Sequence, residues 1–500
     1  MQTPEDIWEA ADLATRRLAG VALNPSAPAD VLVRLLAEGP LAVRMVLCRD
    51  RPLPETVVDA VLQHPDARTR SFFARNPHAD PAQRARLVDD PERFVRAHLA
   101  DGPRMPVGIR SEPLPDDTVV RMISTYENEL LGGTFHQQIS IALSRSMPTH
   151  PVAALRRWGV GMWDYLSADR RAALLEDADA DVRESALRWA RDADPVWVER
   201  ELPAHTCHAR WDTLLRRALS TTVVSSVLTA PVAEGERAAI AGNPSLRTDV
   251  VAVLAGDPDP EVRERIARRP DLGPAERRAL ATDPDPKVRL AVSVHPELAE
   301  EERAAIDYEV PVDHCFHPLP EPYLPRDPHA LRRDASSRHP LLRRQAAADR
   351  SLPTDLVEQL SADDDLGVRV LLAQNHPHAP ASLLLRSFLE YHGHHRAHLT
   401  TQPNFPTAGL AAFADHEDPE ARALAARDPH TAPAVVHRLT HDPNPAVRTA
   451  LARHPNLPST RLTELLDNEE LAHHATANPA LNPDVLRQLV ASKGQPTSAA

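Results

Sequence analysis

Residues 404–429 read NFPTAGLAAFADHEDPEARALAARDP, and residues 430–455 read HTAPAVVHRLTHDPNPAVRTALARHP. Residues 271–296, DLGPAERRALATDPDPKVRLAVSVHP, follow the same frame. The closing proline recurs at Pro244, Pro270 and Pro296, and again at Pro377, Pro403, Pro429 and Pro455, always 26 apart. The arginine of the "VR" step keeps the same spacing through Arg44, Arg70 and Arg96, through Arg263 and Arg289, through Arg343 and Arg369, and through Arg396, Arg422 and Arg448. Arg183 is an isolated copy. One spacing held over so many copies is the signature of a repeat architecture.

Each unit reads as two short helices. In NPSLRTDVVAVLAGDPDPEVRERIARRP, residues 243–270, the first helix is predicted over 248–255. Thr248 is its expected cap, with Val250, Val251 and Leu254 on one face. Pro258 stops it, because proline has no backbone N–H and its ring clashes with the preceding turn. Asp259 is placed to cap the second helix, Pro260 suits its first position, and Glu261 favours the positive end of the helix dipole. Val262 and Ile266 form its apolar stripe, and Pro270 ends it. Helices this short are unstable alone and must bury their stripes on neighbours. The expected fold is therefore all-α: a solenoid of two-helix repeats of about 26 residues, with a one-dimensional core.

Composition agrees. Of 500 residues, 49 are Pro and 16 are Gly, yet 42% are apolar and 26% charged, so the prolines punctuate ordered helices instead of marking disorder. The formal charge of −14 argues against bulk attraction to nucleic acid or to an anionic membrane. Residues 241–300 carry nine Lys or Arg against eleven Asp or Glu, which argues the same way. The only lysines are Lys287 and Lys493, so arginine clusters reflect a general preference. Cys48, Cys207 and Cys315 form no pair motif, which fits a reducing, cytoplasmic setting. The N-terminus shows no secretory signal and no apolar run is long enough to span a membrane.

Six residues before the VR arginine there is usually an acid. The pairs are Glu38/Arg44, Asp90/Arg96, Asp177/Arg183, Asp257/Arg263, Asp283/Arg289, Asp363/Arg369, Glu390/Arg396 and Asp442/Arg448, while His64, Ser337 and His416 replace the acid elsewhere. The acid falls at the bend between helices and the arginine one turn into the second. A guanidinium there is expected to bond the acid of its own or the next unit and the loose carbonyls at helix ends. Repetition would make a structural ladder, in which every cation travels with a neutralising acid.

DPDPEVRERIARRP and DPNPAVRTALARHP resemble the second half of HEAT-type repeats. The shorter frame, with its NP, LP, DP and VR steps, is similar to the leucine-rich repeat variant family. The likeness covers 25–103, 243–296 and 340–490. It implies a right-handed superhelix. Some members of the variant family hold iron–sulfur on an N-terminal cysteine cluster, but Cys48 stands alone in this region, so no cofactor is expected.

The pattern divides the chain into N-terminal repeats over 1–103, divergent helical repeats over 104–242, regular repeats over 243–303, a Pro-rich insertion over 304–339, C-terminal repeats over 340–490 and a disordered polar tail over 491–500. The divergent stretch holds Trp158, Trp163, Trp189, Trp197 and Trp211, residues that either fill a looser core or anchor a partner. The insertion reads as an extended loop containing Asp313, His314, Cys315 and His317, metal-capable types too close in sequence to close a site alone. Residues 331–350 hold six Arg and two Asp, a small basic island. His394 and His398 lie one helical turn apart if that stretch is helical, but no HExxH accompanies them.

No GxGxxG, P-loop or GxSxG motif occurs. The expected function is that of a non-enzymatic scaffold binding a protein or peptide on a concave face, without metal or cofactor. The alternative, on the HEAT-like resemblance, is a nucleic-acid-binding or DNA-base-modifying protein.

Overall fold

The computed structural model describes residues 11–104, 111–127, 134–230, 234–310, 316 and 327–495. These are all helical in their regular structure, with no strand among the described residues. No helix among them is long and apolar enough to cross a membrane. The metal-capable residues Asp313, His314, Cys315 and His317 lie outside the described residues.

The proline grammar builds the helices as expected. Asp259, Asp285, Asp418, Asn444 and Asn482 each cap a helix by accepting a bond from the backbone N–H two residues on, with proline at the first helical position. Thr248 departs from the expectation. It is the first helical residue, the cap position falls on Arg247, and no side chain caps that helix, which runs Thr248–Leu254. The insertion is shorter than expected, because Asp327 and Pro328 open another helix by the same grammar, Pro328–Ala335.

Chain contacts divide the molecule into two compact units, residues 1–146 with 406–500, and residues 147–405. In each, second helices of successive repeats stack side by side and bury Val, Leu, Ile and Ala. The acid–arginine ladder is present in both, with a definite rule. Where the rule holds, the arginine bonds the carbonyl of the bend residue six positions back and the carboxylate of the following repeat. In the second unit Arg263 donates to the Asp257 carbonyl at 2.8 Å and forks onto Asp283 at 2.7 and 2.9 Å. Arg343 does the same with Ser337 and Asp363, and Arg369 with Asp363 and Glu390. In the first unit Arg70 takes the His64 carbonyl and Asp90, and Arg422 takes the His416 carbonyl and Asp442. Arg448 takes the Asp442 carbonyl and Glu470.

The acid of the arginine's own repeat is therefore not its salt-bridge partner. That carboxylate instead accepts from the backbone N–H two residues on, as Asp90, Asp257, Asp283, Asp363 and Asp442 all do. This explains the exceptions: His64 and His416 accept the same bond through Nδ1, and Ser337 through Oγ. Arg96 and Arg289 keep the bend carbonyl but vary in the second partner. Arg96 takes the Asp90 carbonyl and lies over the Tyr126 ring at 4.4 Å. Arg289 takes the Asp283 carbonyl and turns to Asp307, bonding its carbonyl, with its carboxylate 3.6 Å away. Arg396 leaves the pattern altogether, bonding the Phe388 carbonyl at 2.7 Å.

A second ladder runs through the residue before most of the closing prolines, Asp428 before Pro429 being an exception that accepts from the Ala411 N–H instead. In the others the side chain reaches back to carbonyls at the C-terminal end of the preceding second helix, groups that helix termini leave unsatisfied. Asn76 takes Cys48 and Arg51, Asn243 takes Leu214 and Arg217, Arg269 takes Ala241 and Asn243, and Asn478 takes Ala452 and His454. His295, His376 and His454 each reach a single carbonyl. These residues are buried.

The first unit brings the first and last described helices together. Helix Leu13–Leu23 is of the second type, and helix Pro483–Ala491 is of the first type. Together they make one complete repeat, split between distant parts of the sequence. Asn24 supplies its rung to Thr476 and Asn478 at 2.9 and 2.7 Å. Arg17 bonds the carbonyls of Gly494 and Leu466 and the carboxylate of Asp467. The Gly494 carbonyl stands at the bend of this split repeat, where other arginines find theirs. Gly20 lets the N-terminal helix approach closely, since a Cβ there would meet Thr476 Oγ1 at 1.9 Å and the His473 carbonyl at 2.1 Å. Residues 491–495, expected as disordered tail, belong to this junction. Gly494 turns the chain at φ +79° against the Ala14 backbone.

Candidate partner-binding groove

In the second unit the close stacking of second helices that runs from His208–Arg216 to Pro286–Ser293 is not continued at the same closeness by the next second helix described, Pro340–Ala347. The rung from the next second helix is missing there. Arg303, from the short helix Glu300–Ala304, fills it by bonding the carbonyls of Ser293 and His295. Arg303 is 2% exposed. The two helices meet through Ser293 and His339, and a cavity of about 880 Å³ opens beside them. Its walls include Leu290, Ala291 and Val294 on one side and Leu341, Leu342 and Gln345 on the other, with Arg303 and His295 also in its lining. Leu290, Val294 and Leu341 are only half-buried. A volume of this size suits several apolar side chains of a ligand.

The lining is cationic on balance. Arg268, Lys287, Arg303 and Arg333 face Glu264 and Asp334. Arg268 pairs with Glu264, Arg303 with Glu300 and Arg333 with Asp334. Lys287 is exposed and has no acidic partner among the described residues. His339 fixes one wall. It is fully buried, stacked on Tyr308 with ring centres 4.2 Å apart. Its Nδ1 accepts from the Leu341 N–H at 3.1 Å, so Nε2 carries the proton and donates to Ser293 Oγ at 2.8 Å. Burial first, and then the charge of Arg303, push its pKa down to about 4.

The tryptophans lie elsewhere in this unit, and three of the five belong to two cores. Trp163 is 4% exposed and packs with Val160, Leu174, Val182 and Ala186, with Trp189 against the same cluster. Trp211 packs against the core that runs from Leu214 to Ile306. Trp197 has Arg191 and Arg200 near its ring, 4.6 and 3.9 Å from its centre, and Trp158 is half-buried. His394 and His398 do not form a pair. The helix there begins only at Arg396, His394 is exposed, and His398 is buried. No group of three or more metal-capable residues occurs among the described residues.

Sequence reading missed the groove, whose apolar wall residues look like any other helix stripe. The signal was the interval between Arg289 and Arg343, which is not a multiple of 26.

Fold and groove define an all-helical, repeat-like protein with a lateral cavity. No protein-family model and no curated protein matches the chain. Among solved structures, the chain is similar to an engineered protein from the Northeast Structural Genomics Consortium, at 14% identity over 95% of each chain. The TM-score of 0.11 gives that likeness no structural weight.

Proposed function

We propose that this protein is a non-enzymatic α-solenoid scaffold of the HEAT or leucine-rich repeat variant type, and that the groove between helices Pro286–Ser293 and Pro340–Ala347 seats a protein or peptide partner. The observation that carries this reading is the cavity beside these helices. Half-buried Leu290, Val294 and Leu341 line it, with buried Arg303 bonded to the Ser293 and His295 carbonyls. Cation excess at the lining selects a segment with apolar anchors flanked by Asp or Glu, because complementary charge steers encounter and fixes register.

Selection from a random peptide display library tests it. Enriched sequences should carry two or more large apolar residues beside acidic ones. Ala291→Trp, which fills the cavity, should abolish the enrichment, and Lys287→Glu should weaken it. No enrichment, or enrichment indifferent to Ala291→Trp, sinks the proposal.

A further inference from the structure

His437 and His441 stand four residues apart, the same spacing as His394 and His398. Here the backbone keeps the pair on one turn. His437 lies at the end of helix Pro433–Leu439, and the chain continues that turn, with the Thr440 N–H bonded to the Val436 carbonyl and the His441 N–H to the Arg438 carbonyl. Both histidines are exposed. Their ring centres lie 5.1 Å apart, with the ring planes inclined at 50°.

The nitrogens of His441 are sorted by their surroundings. Its Nδ1 lies 3.1 Å from the His437 carbonyl. A carbonyl oxygen only accepts, so Nδ1 carries the proton and Nε2 keeps a free lone pair. Metal-binding histidines are held in this way, because a bond from the other ring nitrogen fixes both tautomer and orientation. The same carbonyl accepts from the Thr440 hydroxyl at 2.7 Å, and that hydroxyl accepts from Arg461 Nε at 3.1 Å. Arg461 belongs to helix Ser459–Leu465, so the first helix of the next repeat braces the turn. Arg438, between the two histidines, is neutralised by Asp415 at 2.8 Å.

We propose that His437 and His441 chelate a late first-row divalent metal ion, of the class Ni²⁺, Cu²⁺ or Zn²⁺, through one nitrogen of each ring, Nε2 in the case of His441. Two imidazoles sharing a tetrahedral ion, each nitrogen about 2.0–2.1 Å from it, place their ring centres roughly 5 Å apart. Neutral imidazole suits these ions, whereas Mg²⁺ and Ca²⁺ take oxygen ligands. No group of three metal-capable residues forms among the described residues, so the ion keeps positions open to water or to a ligand from outside. The chelate closes the turn immediately before Asp442, whose carboxylate accepts from the Asn444 N–H and pairs with Arg422. By linkage the ion stabilises this bend of the repeat.

Titration of the full-length protein with Zn²⁺ near neutral pH, followed by NMR of the histidine ring signals, tests the site. The His437 and His441 signals, assigned from the single variants, should shift together with one midpoint. His437→Ala should raise the midpoint for His441 tenfold or more, and His441→Ala should do the same for His437, with the helical spectrum intact in both. His430→Ala removes another exposed histidine and should leave the midpoint unchanged. Absence of any shift at these two rings overturns the site. Separate midpoints for the two rings overturn chelation, as does a wild-type midpoint at the remaining ring of either variant. Equal shifts on addition of Mg²⁺ overturn the assignment to this class of metal.

Discussion

The side-chain amide of Asn24 donates to the carbonyl of Thr476 at 2.9 Å, across 452 positions of sequence. The same amide reaches Asn478, two residues on, just as Asn478 itself reaches Ala452 and His454. The first repeat thus treats the last as its predecessor. Repeat arrays ordinarily end in capping units with a polar outer face. Here helices Leu13–Leu23 and Pro483–Ala491 complete one repeat between them, so each half-repeat covers the other.

Asn24→Ala should therefore cost as much as Asn478→Ala, although Asn24 lies near the N-terminus, where truncation is usually tolerated. Each leaves two buried carbonyls without donors, a loss of about 1–3 kcal/mol. Urea unfolding followed by circular dichroism measures both. A silent Asn24→Ala beside a costly Asn478→Ala would show that the junction contributes nothing to stability.

Gly20→Val should part the split repeat. Its side chain would be driven into Thr476 and the His473 backbone, and backbone cannot yield as a flexible side chain does. Limited proteolysis should then cut within 483–495 at least tenfold faster than in the wild type. Gly256→Val serves as the control, because a Cβ there meets nothing closer than 3.7 Å.

How far the fold was legible follows from what kind of signal each part leaves. The helix pairs were legible because proline and its capping Asp or Asn act locally, and Asp259-Pro260 or Asn444-Pro445 announce a helix within four residues. The arginine ladder was legible as a spacing, but its partner was not. Arg263 to Asp257 and Arg263 to Asp283 are equally regular in sequence, and only the stacking chooses the second as salt-bridge partner. The rungs from Asn243, Arg269 and His295 were hidden because three chemically different side chains do the same work. The junction of the chain ends left no periodic signal, because its two halves never stand together in sequence. The groove was hidden for a related reason, since Arg303 fills a rung from a position outside the repeat register.

Acidification should destabilise the groove wall through His339. Its folded pKa of about 4 lies below the unfolded value near 6.5, so the unfolded chain takes up the proton first. The stabilisation is fully present above about pH 6.5 and is lost as pH falls toward 4, a change of roughly 3 kcal/mol. Protonation at Nδ1 also removes the acceptor for the Leu341 N–H. His339→Asn should flatten the pH dependence between 6.5 and 4 in urea unfolding, since an asparagine oxygen accepts the same bond without titrating. An unchanged slope would exclude His339 as its source.

The ladder carboxylates act in a lower window, and Asp442 shows how. The Arg422 fork, held at 2.8 and 2.9 Å, is the main cause of its lowered pKa, with the Asn444 N–H also favouring the ionised form. Its contribution is present above the unfolded value of about 3.9 and fades as pH falls through the lower folded value. Asp442 is 5% exposed as a side chain and Arg422 15%, so their pair is shielded from solvent in a way that surface pairs are not. Asp442→Ala removes the salt bridge and the turn bond together, leaving a shielded guanidinium with only the His416 and Glu417 carbonyls. The expected loss is about 2–4 kcal/mol at pH 7, shrinking below pH 4. Asp484→Ala removes a carboxylate that is 76% exposed in its pair with Arg487, and should change stability by no more than about 1 kcal/mol at any pH. Urea unfolding of both variants at pH 7 and pH 3.5 separates the two kinds of pair. Equal, small losses at pH 7 would reduce the ladder to surface charge.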